Sequence, residues 1–518
     1  MSGSSESDVP VLVVGAGPAG LMAAVELARR AVPVRIIDRL AQASPHSKAL
    51  AVWSRTFELF RRINPLLQLE LAGQYQKGMR YHSEGRTLTT IRYTDQARAT
   101  VLPQPAVERF LETELNERGV HVERGTELTS IAVDSRRTSV RTVRRDGAAE
   151  TISASYLIGA DGASSTVRKT LGIPFAGETY PATFVVIDAD IDGDLDPSLT
   201  HYFCSRRGIL VVSALPQGGF RFFTSARPDT DPERLSLAGV QRIIDERGPG
   251  TVRLTRRHWI SAFTVHARQA AQIRHGRAFL IGDAAHIHSP AGGQGLNAGI
   301  ADAHNLAWKI ARVHHGHADA RLLGTYERER RPIAEEIVRA ADRQTRLWLL
   351  SRQRDIVLRN ALVRAAALTP YFSQVYLPTL AGLRYRYESL RVGEQAGRGT
   401  TGTLVKGQNV FDVPSGRRLP LRIALPDDTY SLLFDGGTAD RRLHAAIDLA
   451  RRAGFHLRTL DRRATRLRSG TPPCGSPRGG RITLVRPDGY IAFSGSTLTP
   501  ERLVDLTHST PTLSQEHA

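Results

Sequence analysis

Residues Val9–Asp38 read VPVLVVGAGPAGLMAAVELARRAVPVRIID. Val9–Val14 is a short β-branched run that predicts a buried strand. Gly15-Ala16-Gly17-Pro18-Ala19-Gly20 then matches GxGxxG, and Leu21, Ala24, Leu27 and Ala28 follow at helical spacing. Val34–Ile37 predicts a second strand, ending at Asp38. Each part has a mechanical reason. Gly15 permits the tight turn, Gly17 lets a pyrophosphate approach the backbone, and Gly20 lets helix and strand pack closely. Pro18 suits a first helical turn, where its missing N–H costs nothing. Asp38, with Arg39 beside it, is placed to bind a ribose hydroxyl. A lone GxGxxG is a weak signal. With strand, helix, second strand and an acid about twenty residues on, it predicts a Rossmann-like dinucleotide site. Asp38 would repel a 2′-phosphate, which argues against NADP here and fits FAD.

Working outward, Ala278–Asn297 reads AFLIGDAAHIHSPAGGQGLN. Ala278–Ile281 predicts a short buried strand, Gly282-Asp283 turns the chain, and Asp283 can accept from a sugar hydroxyl. After Gly292-Gly293-Gln294-Gly295, the residues Leu296, Ile300, Ala303, Ala307 and Ile310 recur at helical spacing. So a glycine turn opens a helix, whose unpaired N–H groups and positive dipole end can hold negative charge. Reduced flavin carries such a charge. An ordinary strand–turn–helix unit is the bland alternative for this stretch taken alone.

The 518 residues suggest roughly three domains. No run of eighteen or more apolar residues predicts a membrane span, and MSGSSESDVP has no basic-then-apolar signal pattern. Two cysteines, Cys204 and Cys474, exclude a disulfide framework and a CxxC pair and fit a reducing, cytoplasmic setting. The net charge of +19 raises nucleic acid as a partner. Arginine is spread along the whole chain, so it is read as solvated surface with a high-GC codon bias, with no nucleic-acid or membrane partner. His286 and His288 stand i, i+2 in a turn, and no metal site is read from them.

GDAAHxxxPxGGQGLN resembles the flavin-contacting segment of the FAD-dependent aromatic-ring hydroxylases, the group A flavoprotein monooxygenases. Other segments agree in family order. Ser44–Leu59, SPHSKALAVWSRTFEL, is similar to SRAxxxxxRTxE at Ser47, Ala49, Arg55, Thr56 and Glu58, with Lys48 in place of the usual arginine. Lysine keeps the charge and loses the fork. A helix-face salt bridge is the alternative for Arg55. Gln104, before a helix over 106–119, stands where the family has a flavin-contacting glutamine. GADGxxSxVR is matched at Gly159, Ala160, Asp161, Gly162, Ser165, Val167 and Arg168. The resemblance places Asp161 and Gly162 near the pyrophosphate and has Arg168 hold the loop or attract NADPH phosphates.

What the resemblance implies is an FAD monooxygenase that takes NADPH or NADH as a transient co-substrate, since no second GxGxxG–acid unit exists. O2 and an aromatic small molecule are the other partners, and the route runs through a flavin C4a-hydroperoxide. The cofactor carries the chemistry; the protein positions and shields it. The implied cofactor-binding residues are Gly15, Gly17, Pro18, Ala19, Gly20, Asp38, Arg39, Lys48, Gln104, Asp161, Gly162, Asp283, Gly295, Leu296 and Asn297. Pro290, Gly292 and Gly293 are the candidates for the oxygen-reaction pocket, and His286 is read as structural.

The fold class read here is α/β: a Rossmann-like FAD-binding domain, an inserted antiparallel-sheet substrate domain, and a C-terminal thioredoxin-like domain. The boundaries are 8–175 and 276–395 for FAD with a helical extension, 176–275 for substrate, and 396–518 for the tail. In the middle, Tyr202, Phe203, Phe222 and Phe223 either line a pocket or fill a core. Helices are predicted over 324–351 and 352–367. Val485–Ala492, VRPDGYIA, resembles the end of the tail carried by the phenol and polyketide hydroxylases. The tail has no CxxC, so a structural or oligomerisation role is read, with a monomer or homodimer. The predicted activity is hydroxylation of a polycyclic, polyketide-like phenol in secondary-metabolite tailoring. Alternatives are Baeyer–Villiger-type oxygen insertion, oxidative inactivation of an aromatic antibiotic, and a non-catalytic flavin-binding protein.

Overall fold

The computed structural model describes residues 5–45, 49–65, 69, 72–226, 236–387, 403–405, 409–412, 417–420, 425–435, 441–452, 455–461, 466–469, 481–495, 498 and 500–507. Its first sheet runs in the order Arg274–His275, Ala278–Leu280, Ala149–Gly159, Ser5–Val14, Val34–Asp38, Val122–Arg124. Ser5–Val14 pairs in parallel with both neighbours, with Leu12 opposite Leu157 and Val13 opposite Ile36. Leu12, Val13, Ile36, Leu157 and Phe279 are fully buried. That is the continuous apolar pattern of parallel strands covered by helices. Helix Pro18–Ala28 and helix Gly295–His314 pack into the same core through Leu21, Leu27, Ile300 and Ile310.

The second sheet is mostly antiparallel: His286–Ile287, Arg253–Ala270, Phe175–Asp192, Phe220–Ala226, Gly208–Ala214, Leu199–Ser205, Gly78–Ser83, Arg86–Arg92. Its last two strands come from inside the segment read as 8–175. Hairpin Gly78–Arg92 crosses over and pairs in parallel with Leu199–Ser205. Its turn is Glu84-Gly85, with φ of 48° and 77°. Such a turn needs two left-handed residues, and Glu-Gly carries a weaker signal than Asn-Gly. Gly78 itself admits no side chain, since a Cβ there would lie 2.3 Å from the Ile91 carbonyl oxygen.

Two helices, Gly324–Trp348 and Gln353–Ala367, follow the predicted ranges closely. A third sheet forms the C-terminal unit. Ser431–Asp435 pairs in parallel with His456–Asp461 across helix Arg441–Arg452, and antiparallel with Arg481–Val485, which turns back as Ile491–Gly495 before helix Pro500–Thr507. This βαβ unit followed by a hairpin and a helix is the thioredoxin-like arrangement. The unit packs on helix Gly295–His314, with Trp308 edge-on to Tyr430 at 6.0 Å.

The arginines correct one reading. Arg55, Arg168, Arg221, Arg312, Arg330, Arg359 and Arg486 are buried rather than solvated. Buried guanidinium groups require partners, and several of these find them across domain boundaries. Among the described residues, no helix is long and apolar enough to cross a membrane.

Candidate flavin and substrate site

The glycine loop is built as its spacing requires. Gly15 has φ +104°, and a Cβ there would meet the Ala160 carbonyl oxygen at 2.4 Å. A Cβ on Gly20 would lie 1.9 Å from the Gly15 carbonyl oxygen, while one on Gly17 would meet nothing within 4 Å. So Gly15 and Gly20 are closed by protein, and Gly17 alone opens on free space, as a cradle for pyrophosphate demands. The Asp38 carboxylate accepts from the Ala16 N–H at 2.6 Å and the Leu40 N–H at 2.8 Å, which ties the second strand's end to the loop. Arg39 is exposed beside it. Ser47 and Lys48 lie outside the described residues. Gln104 opens helix Gln104–Asn116 and donates to Glu108 at 2.9 Å.

The Asp161 carboxylate turns back on its own chain. It accepts from the Thr166 and Val167 N–H groups at 2.6 and 3.0 Å and from the Ser165 hydroxyl, capping helix Thr166–Thr170. Gly162, at φ +79°, is left open, with room where a Cβ would be. Arg168 donates to the Ala284 and Ala163 carbonyls at 3.0 and 2.9 Å and stacks over Phe175, so it holds the loop.

Asn297 is fully engaged. Its amide donates to the Ala51 and Gly293 carbonyls, and its oxygen accepts from the Trp53 N–H at 3.0 Å and the Thr56 hydroxyl at 2.7 Å. The side chain therefore locks the turn, and the N–H groups that open helix Gly295–His314 remain without intrahelical partners. Gly292 and Gly293 have φ of 79° and 60°, and Trp53 Nε1 donates to the Gly292 carbonyl at 3.0 Å. Arg55 makes the helix-face bridge to Glu58, at 2.9 Å.

These parts border one cavity of about 500 Å³. Among its walls are Gly17, Pro18, Ala19, Gln104, Gly162, Asp283, Pro290, Gly292, Gly293, Gly295 and Leu296. Gly15, Gly20, Asp38, Arg39, Asp161 and Asn297 support it from behind or stand aside. The second sheet supplies the opposite wall: Met79, Tyr202, Val211, Phe223 and Phe263, with Trp53, Tyr93 and Trp348. Tyr202 and Phe223 line the cavity, whereas Phe203 and Phe222, one residue out of phase, fill a separate core. Alternation along a strand separates the two fates. Met79, Tyr93 and Trp348 were not singled out from sequence; only long-range pairing brings them here.

His286 Nε2 donates to the Asp302 carboxylate at 2.7 Å and the ring is 2% exposed, which makes it part of the framework. His288 lies against the cavity, with Nδ1 2.7 Å from the Ser289 carbonyl. Burial pushes its imidazole down to about 4, so it is neutral near pH 7. Its Nδ1 then carries the proton. Arg221 lines the cavity with its guanidinium forked on Asp188 at 2.6 Å twice.

Glycine turns that open into an aromatic-walled cavity are what a flavin-dependent aromatic hydroxylase requires. Residues 8–341 match the family described as FAD binding domain, and the chain belongs to that family. The 6-methylpretetramide 4-monooxygenase of Streptomyces rimosus is 34% identical over 534 residues, covering 95% of this chain and 91% of that protein. The flavin-dependent monooxygenase PieE, solved with FAD and substrate, superposes with a TM-score of 0.82 at 25% identity, covering 98% and 100% of the two chains. The anhydrotetracycline hydroxylase OxyS of Streptomyces rimosus superposes at 0.76 with 27% identity, covering 98% and 100%. The present chain, like these, is a flavin-dependent monooxygenase.

Proposed function

We propose that this monooxygenase hydroxylates a polycyclic, polyketide-like phenol in secondary-metabolite tailoring, with NADPH or NADH as reductant. The observation that carries this reading is one continuous cavity, about 500 Å³, with glycine turns on one side and an aromatic wall on the other. That volume is within the ~300–1,000 Å³ range of ligand pockets. Relatives named for tetracycline intermediates make the same substrate class the first choice.

The residues fit FAD. Gly17 and Gly162 leave backbone open for the pyrophosphate, and Asp38 closes the ribose end of the loop. Gly295 and Leu296 line the cavity at the start of helix Gly295–His314, whose first N–H groups would stabilise negative charge on a flavin ring. When bound, FAD supplies the oxygen chemistry, with one oxygen atom of O2 delivered to the ring. The chain's own residues shape the site. Pro290, Gly292 and Gly293 form the backbone wall beside it, and Tyr93, Phe223, Phe263 and Trp348 exclude water from it. In this division of labour, 8–175 and 276–395 hold the cofactor, and 176–275 joined by hairpin Gly78–Arg92 holds the substrate. The tail, within 396–518, braces the cofactor-holding part. The test is product mass after incubation with reductant and a panel of polycyclic phenols: one added oxygen supports the reading, and flavin reduction with no oxygenated product on any phenol opposes it.

A further inference from the structure

The turn between strands Arg481–Val485 and Ile491–Gly495 carries the VRPDGYIA segment, and its tip is inserted into the flavin domain. Arg486 donates both terminal nitrogens to Glu329 at 2.6 and 2.8 Å, and one of them also to Asp488 at 2.6 Å. Lys309 donates to the same Glu329 at 2.7 Å. Asn305 donates to Glu329, to the Tyr387 hydroxyl and to Asp488. The next residue along the helix, Arg330, donates to Asp302 at 2.7 Å. Asp302 in turn takes the Gly282 N–H at 3.2 Å and His286 at 2.7 Å. The carboxylates Asp302, Glu329 and Asp488 thus face the cations Lys309, Arg330 and Arg486, all of them less than 5% exposed.

The same tip holds a second line. The Asp488 carbonyl accepts from Arg55 at 2.9 Å, and the Pro487 carbonyl from Arg62 at 3.4 Å. Arg55 precedes Thr56, whose hydroxyl fixes Asn297 at the glycine-turn helix. One hairpin tip is therefore linked, through Glu329, its chain neighbour Arg330 and Asp302, to the Gly282-Asp283 turn and, through Arg55 and its neighbour Thr56, to the Asn297 lock, at opposite ends of one motif.

Buried ion clusters add little net stability, because desolvation offsets attraction. What they do well is fix geometry, since any displaced member is left charged and unpartnered. We propose that Arg486–Asp488 is a positioning element for the flavin, acting through Glu329, Arg330 and Asp302 on Gly282-Asp283 and through Arg55 and Thr56 on Asn297. The C-terminal unit is then a brace that sets the cofactor's seat rather than a redox module. This rests on the reading that the cavity holds FAD.

The test uses the full chain with three substitutions. Arg486→Met removes the fork, Arg486→Lys keeps the charge and loses the fork, and Asp427→Asn removes a different anchor of the same unit. Asp427 receives Arg29 and Arg30, just past the end of helix Pro18–Ala28 that is remote from the glycine loop. It also receives Arg62, which makes the long bond to the Pro487 carbonyl and takes no part in the Arg486 or Arg55 lines. FAD affinity, the visible absorption of bound flavin, and Tm are measured for each. Arg486→Met weakens FAD binding about tenfold and shifts the flavin bands, within the ~5–150-fold range of coupled sites; Arg486→Lys falls between it and the unaltered chain. Asp427→Asn lowers Tm and leaves affinity within about twofold. The proposal is overturned by an Arg486→Met protein with unaltered FAD affinity and spectrum, or by equal loss in Asp427→Asn. If Arg486→Met does not fold, Arg486→Lys decides by the same criteria. Failure of the unaltered chain to bind FAD defeats the cavity reading itself and this proposal with it.

Discussion

Trp53 Nε1 donates to the Gly292 carbonyl oxygen at 3.0 Å, joining the strand after the first nucleotide motif to the glycine turn of the last one. The bond is buried, and Gly292 sits at φ +79°, a conformation that its neighbours must hold in place. Trp53→Phe keeps the ring contact with Tyr93 and loses the donor. Stability should fall by about 1–3 kcal/mol, the cost of a buried carbonyl left unpaired. A looser turn admits water, so more reductant should be consumed per product formed, with the difference appearing as hydrogen peroxide. Unchanged coupling would show that this bond does not shield the site.

The glycine loop makes two opposite predictions. Gly17→Glu has room, so the chain should fold, yet purify without FAD, because charge and bulk then occupy the cradle. Gly20→Ala has no room: its Cβ would lie 1.9 Å from a backbone oxygen. Destabilisation of about 3 kcal/mol or more is expected there. Thermal melts and flavin content measured side by side separate the two, and a Gly17→Glu protein saturated with FAD contradicts the placement.

Acid should destabilise the chain in two stages. His288 is lowered to about 4 by burial, from 6.5, so between those values the unfolded chain binds the extra proton. Stability is therefore lost as pH falls from about 6.5 towards 4. For Asp302 and Glu329, burial alone would raise the carboxyl values. Arg330 and His286 for the first, and Arg486 and Lys309 for the second, outweigh it and hold both below the ordinary range. Their contribution is present above about pH 5 and is lost as pH falls through and below about 4. Denaturant titrations from about pH 7 down to about 2 should show both stages. His288→Asn should reduce only the first, to which His82, His201 and His304, also lowered by burial, contribute as well. A His288→Asn profile that overlays the unaltered one would remove His288 from the account.

Val211 lies on the aromatic wall, in register with Phe223 and Tyr202. Val211→Trp should fill the substrate half while leaving the cradle untouched. Flavin content should stay near that of the unaltered chain, and stimulation of reductant oxidation by a phenol should be lost. Loss of flavin instead would mean that the two halves of the cavity are not separable in this way.

How far the sequence spoke depended on the range of the contacts. The Gly15–Asp38 unit was legible because its constraints are local: a backbone oxygen beside Gly20, and an acid that closes on Ala16. Hairpin Gly78–Arg92 was not, since its Glu-Gly turn is a weak signal and its partner strand begins at Leu199. The buried arginines were misread as surface for the same reason. Arg486 meets Glu329 across 157 positions, and nothing near either residue announces the pairing. Tyr202 and Phe223 fell on the cavity, and Phe203 and Phe222 on the core, by a strand phase that register alone decides.

The central claim is a monooxygenase that couples flavin reduction to oxygen transfer onto a polycyclic phenol. The most direct measurement is NADPH and NADH oxidation by the FAD-loaded chain, with and without such phenols, with product mass followed. The account predicts a rate stimulated by substrate and a product heavier by one oxygen atom. Absence of flavin reduction with every phenol and either nucleotide would contradict it.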